Sequence, residues 1–406
     1  MTDPIQQAPT IQGWCPGALR PMMSGDGLVL RIRPVAARLT QSQALGLADL
    51  SRRFGNGLID FSSRGNVQLR GVSTQGHSDL IAALAALGLV DETPKAEAQR
   101  NITVSPFWTQ QDQTVDVSAQ VVKVMSQREA PVLPSKFGVA IDLGPTPVLQ
   151  DISADIRVER DAEGSLLLVA NGMARGMTCH IDHIADHLQK LAAWFVAAGG
   201  VTGGRGRMAR LIANGTVPDG FDQTPRQVQD PATRFVPSVV LVGAMVGFDF
   251  GQTDWKTLTA LAEIGPLRIT PWRMIIVEGA RQMPHVAGLI TDPQDPMLWV
   301  TACTGKPGCL QALQPTRPLG RALAPHLQGP LHVSGCTKGC AHPKAAEMTL
   351  VATATGFDFI RQGRADDTPT LRSLTAADLC AHPNLLSAKE PNAQPDALRY
   401  PMNERL

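Results

Sequence analysis

The sequence is poor in aromatic residues and has almost no excess of charge. Phe, Trp and Tyr make up 4% of its 406 residues, and only one of them is a tyrosine. So few aromatic rings argue against a surface that stacks the bases of single-stranded nucleic acid. Lysine and arginine total 37 against 36 acidic residues, so the basic excess typical of nucleic-acid binding is also missing. We therefore expect no nucleic-acid partner.

The sequence also lacks signals for export and for membrane insertion. Residues 1–5 carry neither the basic region nor the apolar run that opens a signal peptide. No apolar stretch approaches the ~20 residues that span a bilayer. These absences predict a cytoplasmic protein without a membrane partner, whose cysteines are reduced or metal-bound. The chain is 43% hydrophobic, and its length suits two or three domains with sizeable cores.

Four of the seven cysteines form two close pairs, Cys303-x5-Cys309 and Cys336-x3-Cys340. Four thiolates hold either a [4Fe–4S] cluster or a zinc ion. Zinc sites usually draw their pairs from cysteines about two to four residues apart, so the wider first pair favours a cluster. Glycines flank the cysteines and let backbone N–H groups approach the sulfurs. The spacing predicts an iron–sulfur cluster, with structural zinc and unconnected thiols as alternatives.

The chain contains a repeat of about 50 residues with the order β-α-β-β. The first copy covers residues 28–70, and the second covers residues 239–277. In the first copy, Thr40 is the predicted N-cap of a helix that ends near Phe54. The second copy begins with a predicted strand over residues 239–242. A unit of this size does not readily close a core alone, so we expect the two copies to pack together with pseudo-two-fold symmetry. A longer α/β stretch follows each copy. The predicted divisions are residues 20–85, 88–233, 236–284 and 286–406.

The repeat and the cysteines together resemble the sulfite/nitrite reductase superfamily. Its members have two ferredoxin-like half-repeats and two α/β lobes, and the second lobe carries a Cys-x5-Cys and a Cys-x3-Cys pair. The resemblance extends over residues 28–363. It implies an α+β fold in which residues 20–85 and 236–284 form one pseudo-two-fold domain. It also implies a 4Fe-4S cluster, whose ligands would be Cys303, Cys309, Cys336 and Cys340.

Three basic segments resemble superfamily stretches that surround a carboxylate-rich tetrapyrrole. Residues 62–71 resemble Thr-Thr-Arg-Gln-x-x-Gln-x-Arg-Gly, residues 100–101 open an Arg-Asn-x-x-x-x-Pro stretch, and residues 134–138 resemble Pro-Arg-Lys-Phe-Lys. Arginine forks and lysine charges suit such a ligand. Spacing alone would make the same residues ordinary surface charges. The resemblance implies as substrate-binding residues Arg64, Arg70, Arg100, Asn101 and Lys136, and as catalytic residues Arg70 and Lys136.

The sequence departs from the reductases in the last of these segments. Gly138 replaces the second lysine and Ser135 replaces the arginine, although reduction of sulfite or nitrite needs several positive groups. Residues 334–343 and 270–273 instead resemble the precorrin-3B synthase branch. That resemblance implies O2-dependent hydroxylation of precorrin-3A at C20 with γ-lactone formation, in aerobic cobalamin biosynthesis. The partners would be precorrin-3A, O2 and an external electron donor.

The donor would be an NADH- or NADPH-linked reductase or a ferredoxin. The glycine-rich residues 203–206 lack the strand before them and the acidic residue after them that mark a dinucleotide site. The branch is also associated with a mononuclear non-haem iron. Candidate ligands are the histidines of residues 180–187, which share a helix face that is equally an ordinary polar surface, and His342.

Two other functions stay open on the sequence. The first is a sirohaem-dependent sulfite or nitrite reductase, and sirohaem would be a cofactor only under this hypothesis. The second is a non-catalytic binding protein in which the four cysteines hold zinc.

Overall fold

The computed structural model describes residues 16–127 and 130–386. The described chain divides into two compact units. The large unit comprises residues 16–298 together with Pro307–Leu310, and the small unit comprises residues 299–306 and 311–386. Residues 1–5 and the end of the predicted second lobe lie outside the described part, and the predicted division boundaries remain predictions. Within the described ranges no helix has the length and apolar character to cross a membrane.

The large unit begins with the first half-repeat, whose helix starts where the sequence predicts. The Thr40 hydroxyl accepts the N–H of Gln43, and the Gln43 side chain accepts the N–H of Thr40. This reciprocal cap satisfies two N–H groups, one of them in the first helical turn, which has no helical acceptor. The elements are β1 (Met22–Ser24), β2 (Gly27–Ile32), β3 (Arg38–Leu39), α1 (Gln41–Phe54), β4 (Leu58–Phe61), β5 (Val67–Val72) and α2 (His77–Ala86).

The first lobe follows, built on one mixed sheet with the strand order β11-β10-β9-β8-β7-β6. The strands β6, β7 and β8 run parallel, and the others pair antiparallel. The two longer helices of the lobe, α4 and α5, pack against each other. The elements are α3 (Pro94–Gln99), β6 (Ile102–Val104), α4 (Thr114–Ser126), β7 (Val139–Ile141), β8 (Ile156–Arg160), β9 (Leu166–Ala170), β10 (Arg175–Thr178), α5 (Ile184–Ala197), α6 (Met208–Ala213) and β11 (Thr224–Pro225).

The second half-repeat has the same order of elements as the first. Asp254 caps its helix by accepting the N–H of Thr257 at 2.8 Å. The single strand expected over residues 239–242 is correct for Val239 and Val240, which lie in β12, whereas residues 241–242 form the turn of a hairpin. The chain reverses at Gly243, where a Cβ would lie 2.1 Å from the carbonyl oxygen of Val277. The elements are β12 (Ser238–Val240), β13 (Gly243–Gly247), β14 (Gln252–Asp254), α7 (Trp255–Ile264), β15 (Leu267–Ile269) and β16 (Met274–Glu278).

The two half-repeats exchange a short strand. Strand β3 of the first pairs with β15 of the second, with Leu39 opposite Leu267. Strand β14 of the second pairs with β4 of the first, with Thr253 opposite Ile59. The two sheets therefore have matching orders, β1-β2-β5-β4-β14 and β12-β13-β16-β15-β3. This is the pseudo-two-fold arrangement that the repeat predicts.

The helices of the two half-repeats share one hydrophobic core. Helices α1 and α7 contact each other. Leu47, Leu50, Leu258 and Leu261 on their facing sides are at most 4% exposed and belong to the same buried cluster. Full burial of one leucine stabilises a fold by about 1.5–3 kcal/mol. The contact between α1 and α7 therefore contributes substantially to holding the half-repeats together.

The small unit is built on one five-stranded sheet with the order β17-β18-β19-β20-β21. The strands β17, β18 and β19 run parallel, so their carboxyl ends lie at one edge. The remaining pairs are antiparallel. The elements are β17 (Val300–Ala302), α8 (Arg317–Leu323), β18 (Leu331–Ser334), β19 (Ala346–Ala352), β20 (Phe357–Gly363), β21 (Leu371–Leu374) and α9 (Ala376–Ala381).

A buried carboxyl group fixes the loop after β7 in the first lobe. Asp142 is 2% exposed, and its Oδ2 accepts the N–H groups of Val148 at 2.6 Å and Leu149 at 2.8 Å. Its Oδ1 has no hydrogen-bond partner among the described residues. Burial raises the pKa of Asp142 from 3.8 to about 6, and the nearby charge of Glu159 acts in the same direction.

This raised pKa predicts a pH-dependent stability. The folded protein binds the Asp142 proton more tightly than the unfolded chain, so the group stabilises the fold below pH 3.8 and loses this effect as the pH rises through about 6. Relative to the Asp142→Asn variant, the wild-type free energy of unfolding should fall by about 1–2 kcal/mol between about pH 5 and pH 7.5. Urea denaturation at a series of pH values checks this. Parallel pH profiles for the two proteins would contradict it.

Candidate functional site

A small cleft in the large unit lies where the first half-repeat meets the first lobe. We call it the Arg64 cleft. It brings together three of the five residues that the sequence predicts to bind substrate, namely Arg64, Asn101 and Lys136. Its lining comprises Arg64, Asn66, Asn101, Ile102, Thr103, Lys136, Gly138 and Ser153.

Arg64 is positioned by the tight turn between β4 and β5. The Ser62 hydroxyl accepts the N–H groups of Arg64 and Asn66, each at 3.3 Å, and the Ser62 N–H donates to the Asn66 carbonyl at 2.9 Å. Gly65 lies between them with a φ of +65°, a conformation that glycine adopts without steric cost. The turn therefore holds the half-buried Arg64 side chain on the wall of the cleft.

Asn101 fixes the segment that carries Lys136. Its Nδ2 donates to the carbonyl oxygens of Ser135 at 3.0 Å and Phe137 at 3.3 Å, on either side of Lys136. Its own carbonyl oxygen accepts the N–H of Val139 at 2.9 Å. The Oδ1 of Asn101 is buried and has no partner in the described chain. The Lys136 side chain is exposed, so a fixed backbone presents an exposed positive charge.

Behind the cleft, a buried carboxylate paired with an arginine supports the same segment. Asp155 is fully buried and accepts the N–H of Gly138 at 3.0 Å and the N–H of Met208 at 2.9 Å. Arg207 lies 3.0 Å from the Asp155 carboxylate and also donates to the Lys136 carbonyl oxygen. Burial raises the pKa of Asp155, and the charge of Arg207 opposes that effect. The sequence reasoning missed both residues.

A signal for Arg207 was nevertheless present in the sequence. It directly follows residues 203–206, the glycine-rich run rejected as a dinucleotide site. In the structure this run forms a turn, with Thr202 and Arg205 paired across it and both Gly203 and Gly204 at positive φ. The turn therefore directly precedes Arg207, which contacts Asp155 behind the cleft.

The other two predicted substrate-binding residues are buried in ion pairs outside the cleft lining. Arg100 is 8% exposed and donates to both carboxylate oxygens of Asp91, at 2.7 and 2.9 Å. Arg70 is 5% exposed and donates to Asp26 and Asp60. Burial alone would lower the pKa of Arg70, but the charges of Asp60 and Asp26 outweigh it and raise that pKa. Their roles as substrate ligands stay predictions.

The small unit places two of the predicted cluster cysteines after neighbouring parallel strands. Cys303 follows β17 and Cys336 follows β18. The Gly335 N–H donates to the Cys303 Sγ at 3.1 Å, an interaction that stabilises a thiolate. Gly339, just before Cys340, has a φ of +59°, so the second loop bends tightly between its cysteines.

The fourth cysteine, Cys309, lies in the large unit, in Pro307–Leu310. In the described residues no group of three or more His, Cys, Asp or Glu side chains is placed to hold a metal ion. The donors nevertheless fit an iron–sulfur cluster in kind, because they are thiols on loops that offer backbone N–H groups to sulfur. The four cluster ligands remain a prediction.

The histidines do not form an iron site in the described residues. His180 and His183 precede α5 and His187 lies in its first turn, with neighbouring ring centroids 6.5 and 6.3 Å apart. No metal-binding group in the described residues includes them. His342 lies 5.6 Å from His332 by ring centroids and 3.3 Å from the Ala345 carbonyl oxygen. Among the described residues, these positions do not fit the ligands of a mononuclear iron.

Known proteins resemble this chain over most of its length. The model of the nitrite/sulfite reductase ferredoxin-like half domain matches residues 20–87. A precorrin-3B synthase from Sinorhizobium sp. is 28% identical, over 88% of this chain and 84% of its own. A ferredoxin–nitrite reductase from Leptolyngbya laminosa is 24% identical, over 84% and 79%. The structure of the Mycobacterium tuberculosis NirA protein covers 88% of this chain and 79% of its own, with a TM-score of 0.63 and 18% identity.

These similarities and the paired half-repeats indicate the kind of protein that this chain resembles. Its first half-repeat matches the nitrite/sulfite reductase ferredoxin-like half domain, and the chain has the α+β fold of the NirA structure, as the sequence predicts. Over most of its length it is similar both to a precorrin-3B synthase and to nitrite reductases. All of these named relatives are enzymes, which supports enzymatic activity for this chain.

The hydrogen bonds of Asp155 behind the cleft predict that its replacement will strongly lower the stability of the fold. Replacing Asp155 by alanine leaves two buried N–H groups without an acceptor and removes the carboxylate that faces Arg207, which should lower the free energy of unfolding by about 2–4 kcal/mol. Asp182→Ala is the control, because Asp182 is 75% exposed and pairs with the exposed His180, so it should cost at most about 0.5 kcal/mol. Urea denaturation measures both. Equal stability of the two variants would contradict the role given to Asp155.

Proposed function

We propose that this protein is a precorrin-3B synthase. It hydroxylates precorrin-3A at C20 with O2 and closes a γ-lactone, a reaction of aerobic cobalamin biosynthesis. The Arg64 cleft carries this proposal, because it combines positive side chains with a glycine where the reductase stretch has its second lysine. The relative that is 28% identical over 88% of the chain supports it.

The positive side chains of the cleft bind the carboxylates of the substrate. Arg64 of the half-repeat and Lys136 of the lobe both line it. A guanidinium forms paired hydrogen bonds with a carboxylate, and an ammonium adds a point charge that rotates to meet it. Both would therefore contact acetate or propionate groups on the rim of the macrocycle. Asn101 and Asp155 act indirectly, by fixing the backbone around Lys136.

Gly138 favours the precorrin-3B synthase activity over the reduction of a small anion such as sulfite or nitrite. It leaves the cleft without a second lysine, so less positive charge is available to stabilise a bound sulfite or nitrite. A Cβ at Gly138 would lie 3.2 Å from the Asn101 carbonyl oxygen, a tight contact that glycine avoids. The glycine also leaves space at the cleft for a substituent of a larger substrate.

The cluster on Cys303, Cys309, Cys336 and Cys340 would supply electrons singly from an external donor, either a ferredoxin or a reductase linked to NADH or NADPH. The reaction places one oxygen atom of O2 in the product and releases the other as water, which consumes two electrons and two protons. Lys136 is an exposed ammonium at the cleft and is the residue best placed to deliver a proton there.

A second candidate is a sirohaem-dependent sulfite or nitrite reductase. The nitrite reductase relatives, 24% identical over 84% and 82% of the chain, favour it. The absence of the second lysine at Gly138 argues against it. A non-catalytic zinc protein has less support, because the relatives are enzymes.

The visible spectrum of anaerobically purified protein distinguishes these functions. The proposal predicts the broad shoulder of an iron–sulfur cluster, with iron and acid-labile sulfide in equal amounts and no sirohaem bands. Sirohaem bands would favour the reductase. Zinc without iron or sulfide would contradict both enzymes.

Removing either cleft charge should weaken substrate binding. Arg64→Met and Lys136→Met should each raise the KM for precorrin-3A by about 10–100-fold, because each removes a charge-assisted hydrogen bond worth about 1.5–3 kcal/mol. Lys190→Met, which removes an exposed lysine from α5, is the matched control and should leave KM unchanged. Steady-state kinetics measures all three. An unchanged KM in both cleft variants would remove the cleft from the binding site.

A further inference from the structure

The segment Pro307–Leu310, which carries Cys309, is held through its backbone. The Gly308 carbonyl oxygen accepts the N–H of Gly25 at 3.2 Å, the Nη2 of Arg70 at 3.1 Å and the Ser24 hydroxyl. A carbonyl oxygen has two lone pairs, so three donors leave it little freedom to move. Cys309 is the next residue, and its position is therefore set by contacts that do not involve its thiol.

Arg70, the central donor, is itself fixed by two carboxylates. Asp26 accepts from its Nε and Nη2, each at 2.9 Å, and Asp60 accepts from its Nη1 at 3.4 Å. A paired contact of this kind fixes the guanidinium plane as well as its distance. Asp60 in turn accepts from Gln252 of the exchanged strand β14 at 2.8 Å. Both half-repeats therefore contribute to the position of one arginine.

We infer that Arg70 is a positioning residue that holds Cys309 for cluster binding, on the condition, taken from the proposed function, that the four cysteines bind a cluster. The resemblance to the reductases had suggested a substrate ligand at this position. The contacts of Arg70 instead engage all its nitrogens with Asp26, Asp60 and Gly308. Partners behind metal-binding residues typically change metal affinity by about 10–100-fold when removed.

Gly25 offers a way to move the segment without touching Arg70. A Cβ at Gly25 would lie 2.1 Å from the Pro307 carbonyl oxygen and 3.3 Å from the Gly308 carbonyl carbon. The φ of Gly25 lies outside the left-handed region, so alanine is compatible with the backbone itself. The Gly25→Ala substitution should therefore displace Pro307–Leu310 and leave the rest of the large unit intact.

The test measures how firmly the full-length chain holds its reconstituted cluster. In Gly25→Ala and Arg70→Met, anaerobic loss of iron to a chelator should be at least about tenfold faster than in wild type. The electron paramagnetic resonance spectrum of the reduced cluster should also change. Arg70→Lys keeps one donor for the Gly308 carbonyl and should recover part of the wild-type behaviour.

Two matched controls separate positioning from general loss of stability. Arg226→Met removes another arginine that is paired with both oxygens of a carboxylate, Glu159, at 3.0 and 2.6 Å in the first lobe. Gly144→Ala adds a Cβ whose nearest neighbour is 3.5 Å away. Both controls should lose iron at the wild-type rate. The melting temperature of cluster-free Gly25→Ala should match that of the cluster-free wild type.

The outcomes distinguish this inference from the proposed function. Wild-type iron retention and spectra in both Gly25→Ala and Arg70→Met would overturn the role of Arg70 alone. A wild-type cluster that responds to these substitutions in a protein inactive on precorrin-3A would uphold that role and overturn the proposed function. A wild-type chain that takes up no iron and sulfide would overturn both.

Discussion

The exchange of short strands between the two half-repeats is the constraint on which the rest of the large unit depends. Strand β3 completes the sheet of the second half-repeat, and β14 completes the sheet of the first. Neither sheet is complete without a strand from the other, and the buried contact between α1 and α7 reinforces the pairing. Gln252 of β14 donates to Asp60, Asp60 pairs with Arg70, and Arg70 donates to the carbonyl oxygen of Gly308, next to Cys309. The exchanged strand therefore also helps to fix the backbone beside Cys309.

The same architecture explains how the cleft acquires its charge. Arg64 lies in a turn whose strands belong to the exchanged sheet, and Lys136 lies in a segment fixed by Asn101 and by the buried Asp155. The positive groups come from two parts of the chain, each held by its own hydrogen bonds. Such preorganisation suits recognition of a carboxylate, since the protein has little to rearrange when the ligand binds.

Local features of the fold could be predicted from the sequence, and features that depend on distant partners could not. The helix capped by Thr40 was predicted because its signals lie within a few residues. The strand exchange was not, since a two-residue strand such as β3 has no periodic pattern of its own. Arg70 matched a ligand motif, but its partner Asp26 is 44 residues away. Asp155 and Arg207 were missed for the same reason.

The origin of the oxygen atom in the product tests the central claim most directly. Anaerobically purified protein would be given precorrin-3A, reductant and isotopically labelled O2, and the product analysed by mass spectrometry. The proposed precorrin-3B synthase activity predicts a hydroxylated product that carries one labelled oxygen atom. Unchanged precorrin-3A, together with consumption of sulfite or nitrite by the same preparation, would contradict the claim and identify a reductase.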